Sequence, residues 1–379
     1  MSSTISAPPQ ANSVSDSEAT IRQRWISGEA KHTRLPVHGS SLVTSLIIHQ
    51  GSIISASEDG TINMYAAASG KLVRTLKGHA GGIWSLAVAE DTLVSGSTDH
   101  TVRVWDMPTG RCTHVFGGHK GTVRALRIAQ PMWVDVKDKS GETVRELWPK
   151  RPLIVSGSRD HNLRVWSLPK KGESDGNCCT EEGDPSEVTP ENNPHHQRRL
   201  RGHTQAIRDH AVHGRTLVSG SYDFFSIALD GERNIAYSGS MDCTVRVWDL
   251  LRGQCKYTLT GHTSVVGLLR VSPSYLVSAS ADATLRVWNP DTGELLHILP
   301  TGGPGTTVVC LHHDEEKILS GSKGALWMWD IRTGAGIRGL LQGAMDVSQA
   351  VFEGQWCAAA TNKDSATYLD IWDYGSQSA

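Results

Sequence analysis

The six residues TLVSGS occur at 92–97 and again at 216–221, with close relatives at 153–158, 235–240, 275–280 and 317–322. Self-similarity of this kind restricts the fold more than any bulk property, because each copy has to be one supersecondary unit stacked on the next. After most copies an aspartate is followed six residues later by an aromatic: Asp59/Tyr65, Asp99/Trp105, Asp160/Trp166, Asp242/Trp248 and Asp282/Trp288. Gly-His pairs precede them at Gly78-His79, Gly118-His119, Gly202-His203 and Gly261-His262. His79 and His119 are 40 residues apart, the span of one four-stranded unit of a propeller.

Within one period the segments WSLAVA (84–89), TLVSGS (92–97), TVRVWD (101–106) and RCTHVF (111–116) alternate as strands and are split by polar or glycine-bearing turns. First strands are expected near Val43, Trp84, Arg124, Ile227, Val266, Val308 and Val347, with an incomplete unit starting near Ile207. The fold class is therefore all-β: a WD-repeat β-propeller of seven recognisable blades plus one incomplete half-blade, from an eight-bladed parent. Six residues follow Asp373, too few for the last outer strand, so Arg34–Val37 is expected to supply it and close the ring. The sequence divides into a disordered N-terminus with the remnant of a linker (1–31), a propeller (32–374) and a tail (375–379).

Two loop insertions, 131–151 and 170–197, interrupt the period. The second is acidic and proline-rich and reads as a mobile surface loop. His195-His196 with Cys178-Cys179 fits no zinc spacing, so no metal site is expected. The opposite departure is a loss at 223–226. His203 to Asp223 keeps the usual 20 residues, but Asp242 follows only 19 later, where two outer strands and a Gly-His should intervene.

Net charge is -2, which excludes global steering towards nucleic acid or an anionic membrane. The seven cysteines hold no CxxC pair, which suits a reducing interior. With no long apolar run, the chain is expected to be soluble and intracellular. Ser95, His79 and Asp99 resemble a hydrolase triad, yet the set recurs around His119 and His262, and an enzyme has no use for one triad per blade. No catalytic residue and no cofactor are expected.

Recognition chemistry concentrates elsewhere. Arg124 stands five residues after His119, Arg208 five after His203, and Arg159 directly before Asp160. Strands of a meander alternate in direction, so the start of a first strand and the end of a second emerge on one face, and these three arginines are expected to share it. Guanidinium forks match phosphate oxygens, which makes a phosphorylated peptide the natural ligand. Trp84, Thr98 and Tyr222 occupy corresponding rim positions.

GHAGGIWSLAV (78–88), SGSTDHTVRVWDMPTGRCTHVFGGH (95–119), TVRALRI (122–128), SGSRDHNLRVWSLP (156–169) and SGSYD (219–223) resemble the propeller of the F-box/WD-repeat cell division control family, substrate receptors of a Skp–cullin–F-box ubiquitin ligase. The similarity runs from about residue 21 to 374, including the TPENNP insertion. It implies that Arg124, Arg159 and Arg208 grip the phosphate of a phosphodegron. Tyr222 would be a neighbouring contact, and Trp84 and Thr98 the subsite for residues before the phosphate. It also implies phosphorylated protein substrates as partners and a nuclear location, with the cytoplasm second. Residues 1–31 are too short for an F-box, so docking to the ligase adaptor is expected only of a longer form. The alternative is a scaffold for unmodified protein partners.

Overall fold

A computed structural model describes residues 13–137, 140–173, 192–222, 224–301 and 307–375. Helix α1 (Ser13–Ser27) precedes β1 (Lys31–Pro36). Strands β2 (Val43–His49), β3 (Ser52–Ser57), β4 (Ile62–Ala66) and β5 (Leu72–Leu76) pair in that order, as do β6 (Ile83–Ala89), β7 (Thr92–Ser97), β8 (Val102–Asp106) and β9 (Arg111–Phe116). After β10 (Val123–Ala129) the chain makes a separate hairpin, β11 (Met132–Lys137) and β12 (Thr143–Trp148). It then returns through β13 (Leu153–Ser158), β14 (Leu163–Ser167) and β15 (His196–Leu200) to complete the sheet β10-β13-β14-β15. Next come β16 (Ile207–His213) and β17 (Thr216–Ser221), a sheet of two.

Two further four-stranded sheets follow. They are β18 (Phe224–Asp230), β19 (Ile235–Ser240), β20 (Val245–Asp249), β21 (Gln254–Leu259), and β22 (Val266–Val271), β23 (Leu276–Ser280), β24 (Thr284–Trp288), β25 (Leu295–Pro300). The last sheet has the order β1-β30-β29-β28-β27-β26, from β26 (Val308–His313), β27 (Lys317–Asp330), β28 (Gly336–Glu353), β29 (Trp356–Lys363) and β30 (Ala366–Asp373). Strand β28 is long enough to end one repeat and begin the next. The innermost strands pack in a closed circuit: β2 on β6, then β10, β16, β18, β22, β26, β28 and β2 again.

The repeat pattern explains the packing. In β8 the residues Val102, Val104 and Trp105 are buried while Arg103 is half-buried, and the second strands other than β17 are buried almost throughout. Each fully buried aliphatic side chain contributes about 1.5–3 kcal/mol. The turn after β7 is capped by Asp99, which accepts from Thr101 N–H at 2.9 Å and from the Thr101 hydroxyl at 2.7 Å. That turn needs one left-handed residue. Gly60 (φ 79) supplies it after β3, and His100 (φ 69) after β7.

Closure uses β1, whose six residues pair from Lys31↔Asp373 to Pro36↔Tyr368, three residues earlier than the expected Arg34 start. Asp370 is fully buried beneath this seam. It accepts from His32 Nε2 at 2.7 Å, Arg34 Nε at 2.8 Å and Thr361 Oγ1 at 2.9 Å.

Three expectations need correction. The N-terminus, expected to be disordered ahead of the linker remnant, is already helical from Ser13 and stays so to Ser27: Trp25 stacks on Tyr374 at 3.7 Å and donates to Gly354 O at 3.1 Å, so the helix has a buried anchor. The insertion 131–151 is largely the β11–β12 hairpin, because MWVDVK and TVRELW both alternate and pair in register. The end of the insertion 170–197 is not surface loop, since Asn193, His195 and His196 are buried and β15 is the outer strand of its sheet. Residues 174–191, with Cys178-Cys179, lie outside the described residues, as do Asp223 and 376–379.

Candidate functional site

The histidines, serines, aspartates and tryptophans of the repeat form a relay. Trp105 Nε1–H donates to Ser95 Oγ at 2.8 Å, the hydroxyl meets His79 Nε2 at 2.7 Å, and Nδ1 faces Asp99 at 2.7 Å. Burial pushes the His79 pKa down against the pull of Asp99, so the ring is neutral, with Nε2 accepting and Nδ1–H donating. The same relay joins Trp166, Ser156, His119 and Asp160, and again Trp288, Ser278, His262 and Asp282. His38 fills the place in the first unit, 2.8 Å from Ser55 and 3.0 Å from Asp59. The sequence search passed over it because its glycine follows the histidine instead of preceding it. Each hydroxyl is buried and saturated, so these are structural braces.

A β-bulge sets the functional side chains. Between first and second strands the register skips one residue of the first strand in every unit: Thr44, Trp84, Arg124, Arg208, Phe225, Gly267, Val309 and Ser348 have no partner across the ladder. A bulge re-aims its side chain. The neighbours Val123 and Ala125 stay buried in the sheet, while Arg124 turns towards the channel inside the ring. This channel has a volume of about 1080 Å³, and Trp84, Arg124 and Arg208 are among its lining residues.

The guanidinium carbon of Arg124 lies 4.5 Å from the centre of the Trp84 ring, and that of Arg208 lies 5.2 Å from the Tyr222 ring. Burial, followed by the fields of Arg208 and Arg159, holds the Arg124 pKa below the usual arginine value. Two cations distant from it in sequence therefore act on Arg124. Among the described residues no carboxylate forms an ion pair with Arg124 or Arg159.

Arg159 is exposed just after β13, and its N–H donates to Thr122 O at 2.9 Å. A Cβ on Gly121 would stand 3.2 Å from Arg159 Cβ, so glycine there lets the end of β13 sit against the start of β10. Thr98 stands in the same relation within the preceding unit, donating from its N–H to Gly82 O at 2.9 Å. Tyr222 is 39% exposed, beside Arg208 on the two-stranded unit.

The sequence reading missed the tier beneath. Arg127 pairs with Asp209 at 3.2 Å, Arg270 feels Asp209 from the other side, and Asp209 also takes His210 N–H at 2.9 Å. Asp209 thereby ties the short unit to its neighbours from inside the ring. A second cavity of about 790 Å³ opens at the β6–β7 turn, at the opposite end of the strands, where Lys171 faces Asp91 at 3.5 Å. Among the described residues no cluster of three or more His, Cys, Asp or Glu suits a metal, and no helix is long and apolar enough to cross a membrane.

The WD domain, G-beta repeat, matches residues 70–106, 138–167, 225–249 and 253–289. The chain belongs to the WD-repeat propeller family. As a WD-repeat protein it is similar to cell division control protein 4 of Candida albicans, with 36% identity over 93% of this chain and 55% of that protein. The protein of the same name from Saccharomyces cerevisiae is 34% identical over 92% of this chain and 48% of its own length. The chain thus spans about half the length of these relatives, and it resembles the propeller portion of the F-box/WD-repeat cell division control proteins. Its fold matches the crystal structure of the computationally designed Ika8 protein with a TM-score of 0.69 and 24% identity, over 89% of this chain and 98% of that one.

Proposed function

We propose that this WD-repeat chain is a substrate-recognition module that binds Ser/Thr-phosphorylated degrons for ubiquitination by a Skp–cullin–F-box ligase. The observation that carries this reading is the half-buried Arg124, pressed by the charges of Arg208 and Arg159 and without a carboxylate of its own among the described residues. A phosphoryl group with about -1.5 to -2 charges neutralises such a cluster and accepts from its forks. Trp84 and Thr98 on one side, and Tyr222 on the other, hold the flanking residues of the peptide. Similarity to two cell division control proteins supports the assignment. A nuclear location, with the cytoplasm second, belongs to the same proposal.

Seven blades and a half-blade make up the ring in this reading. The module binds and does not catalyse. Isothermal titration of a doubly phosphorylated Thr-Pro peptide and its unphosphorylated twin tests the proposal, because only the phosphorylated form should bind tightly.

A scaffold for unmodified partners is the second reading. Exposed apolar side chains favour it: Val309 at a bulge position (44%), and Tyr222 (39%) and Met241 (57%) just beyond second strands. It predicts equal affinity for both peptides.

A further inference from the structure

Strands β7 and β17 have the same sequence, TLVSGS, in different surroundings. Both pair on their inner side in the same register, Ser95 opposite Leu86 and Ser219 opposite His210. On its outer side β7 pairs residues Thr92–Gly96 with β8, and Leu93 and Val94 are sealed from solvent. Strand β17 has no outer partner among the described residues, and its first four residues are only half-buried. The serines differ in the same way. Ser95 Oγ receives the Trp105 indole at 2.8 Å as well as His79, whereas Ser219 Oγ has His203 Nε2 at 2.8 Å and no indole.

We propose that the outer edge of β17 is a docking site for an extended segment of a partner protein with the pattern apolar-x-apolar-Trp, which enters antiparallel as a third strand. The occupant follows from the other units. Trp105, Trp166, Trp248, Trp288 and Trp329 each donate from the third-strand position to the serine equivalent to Ser219, at 2.8 to 3.0 Å. Main-chain pairing at a sheet edge supplies affinity, and the side-chain slots supply selectivity. TLVSGS carries no lysine or proline to protect its edge. This chain's own third strands are committed to their own sheets, and the β17 edge of a second copy brings no tryptophan. The site uses none of the three arginines, so it stands or falls separately from phosphate recognition.

The probe is a peptide with the sequence of residues 101–107, the natural complement of the identical strand β7. Fluorescence anisotropy should show saturable binding to the whole chain, and amide hydrogen exchange at 216–220 should slow on binding. A peptide whose tryptophan is replaced by phenylalanine should bind about tenfold more weakly, the effect of one buried hydrogen bond. Ser219→Ala should abolish that difference between the two peptides. Absence of saturable binding, equal binding of the two peptides to the unaltered chain, or prior protection in the free monomer of those amides within 216–220 that point away from β16 would overturn the proposal. So would protection that arises from dimerisation without peptide. The two-peptide comparison stands even where the Ser219→Ala chain fails to fold.

Discussion

Arg124 stacks over Trp84, its guanidinium carbon 4.5 Å from the ring centre, and the two residues are the bulged positions of successive first strands. The indole supports the planar cation, and both side chains line the channel inside the ring. A lysine has neither the plane nor the fork.

Arg124→Lys should therefore weaken phosphopeptide binding by at least about tenfold despite keeping the charge, and Arg124→Ala should cost about 2–5 kcal/mol. Calorimetric titration reads both. The urea midpoint should barely move, because among the described residues Arg124 has no ion-pair partner whose loss would strain the fold.

Ser95→Ala should have the reverse profile. It leaves the buried Trp105 N–H and His79 Nε2 without their shared partner, at a cost of about 1–3 kcal/mol. Calorimetric unfolding should show the loss, while phosphopeptide affinity stays within about twofold.

His210 occupies a core slot that holds Leu46, Leu86, Leu126, Leu269 and Leu311 in other units. It is fully buried, neither ring nitrogen has a well-formed hydrogen bond, and burial followed by the Arg127 charge pushes its pKa down to about 3. Between about pH 6.5 and 3 the unfolded chain binds a proton that the folded chain refuses, so stability falls as the pH drops. His196 and His312, held down to about 4 by burial first, act in the same direction. Asp282, lowered to about 2 by its hydrogen bonds against desolvation, contributes stability above its unfolded value that is lost as the pH falls through 2. His210→Leu should flatten the decline between pH 6.5 and 3, measured as urea midpoints across pH. Identical slopes for the two proteins would contradict this.

Removal of residues 1–36 should be more damaging than most point changes. It takes away β1 together with His32 and Arg34, leaving Asp370 short of two donors, and it exposes the edge of β30. Breaking a buried ion pair from one side costs about 3–5 kcal/mol. An open sheet edge also promotes association. Thermal unfolding with light scattering should show a lower midpoint and aggregation.

The repeat made the sheets legible because hydrophobic alternation, Asp-capped turns and Trp–Ser pairing act within a few dozen residues. First strands near Val43 and Val308 lie where β2 and β26 begin, and β1 pairs with β30 close to the segment expected to do so. The helix over 13–27 was hidden because its anchor, Trp25 on Tyr374, joins opposite ends of the chain. The β11–β12 hairpin was hidden because it falls outside the period. At the mouth, spacing from the Gly-His pairs located Arg124 and Arg208, yet nothing in the residue types announced the bulge that turns them into the channel. Asp209 also escaped notice, since its partners Arg127, Ser226 and Ile227 come from other units.

In the proposed function Arg124, Arg159 and Arg208 jointly receive a phosphoryl group. Titrating a doubly phosphorylated Thr-Pro peptide against the unaltered chain and against Arg159→Ala tests it most directly. A loss of affinity of about 2–5 kcal/mol for the variant, with no change for the unphosphorylated peptide, is the expected result. Equal affinity of the two proteins for the phosphorylated peptide would contradict it.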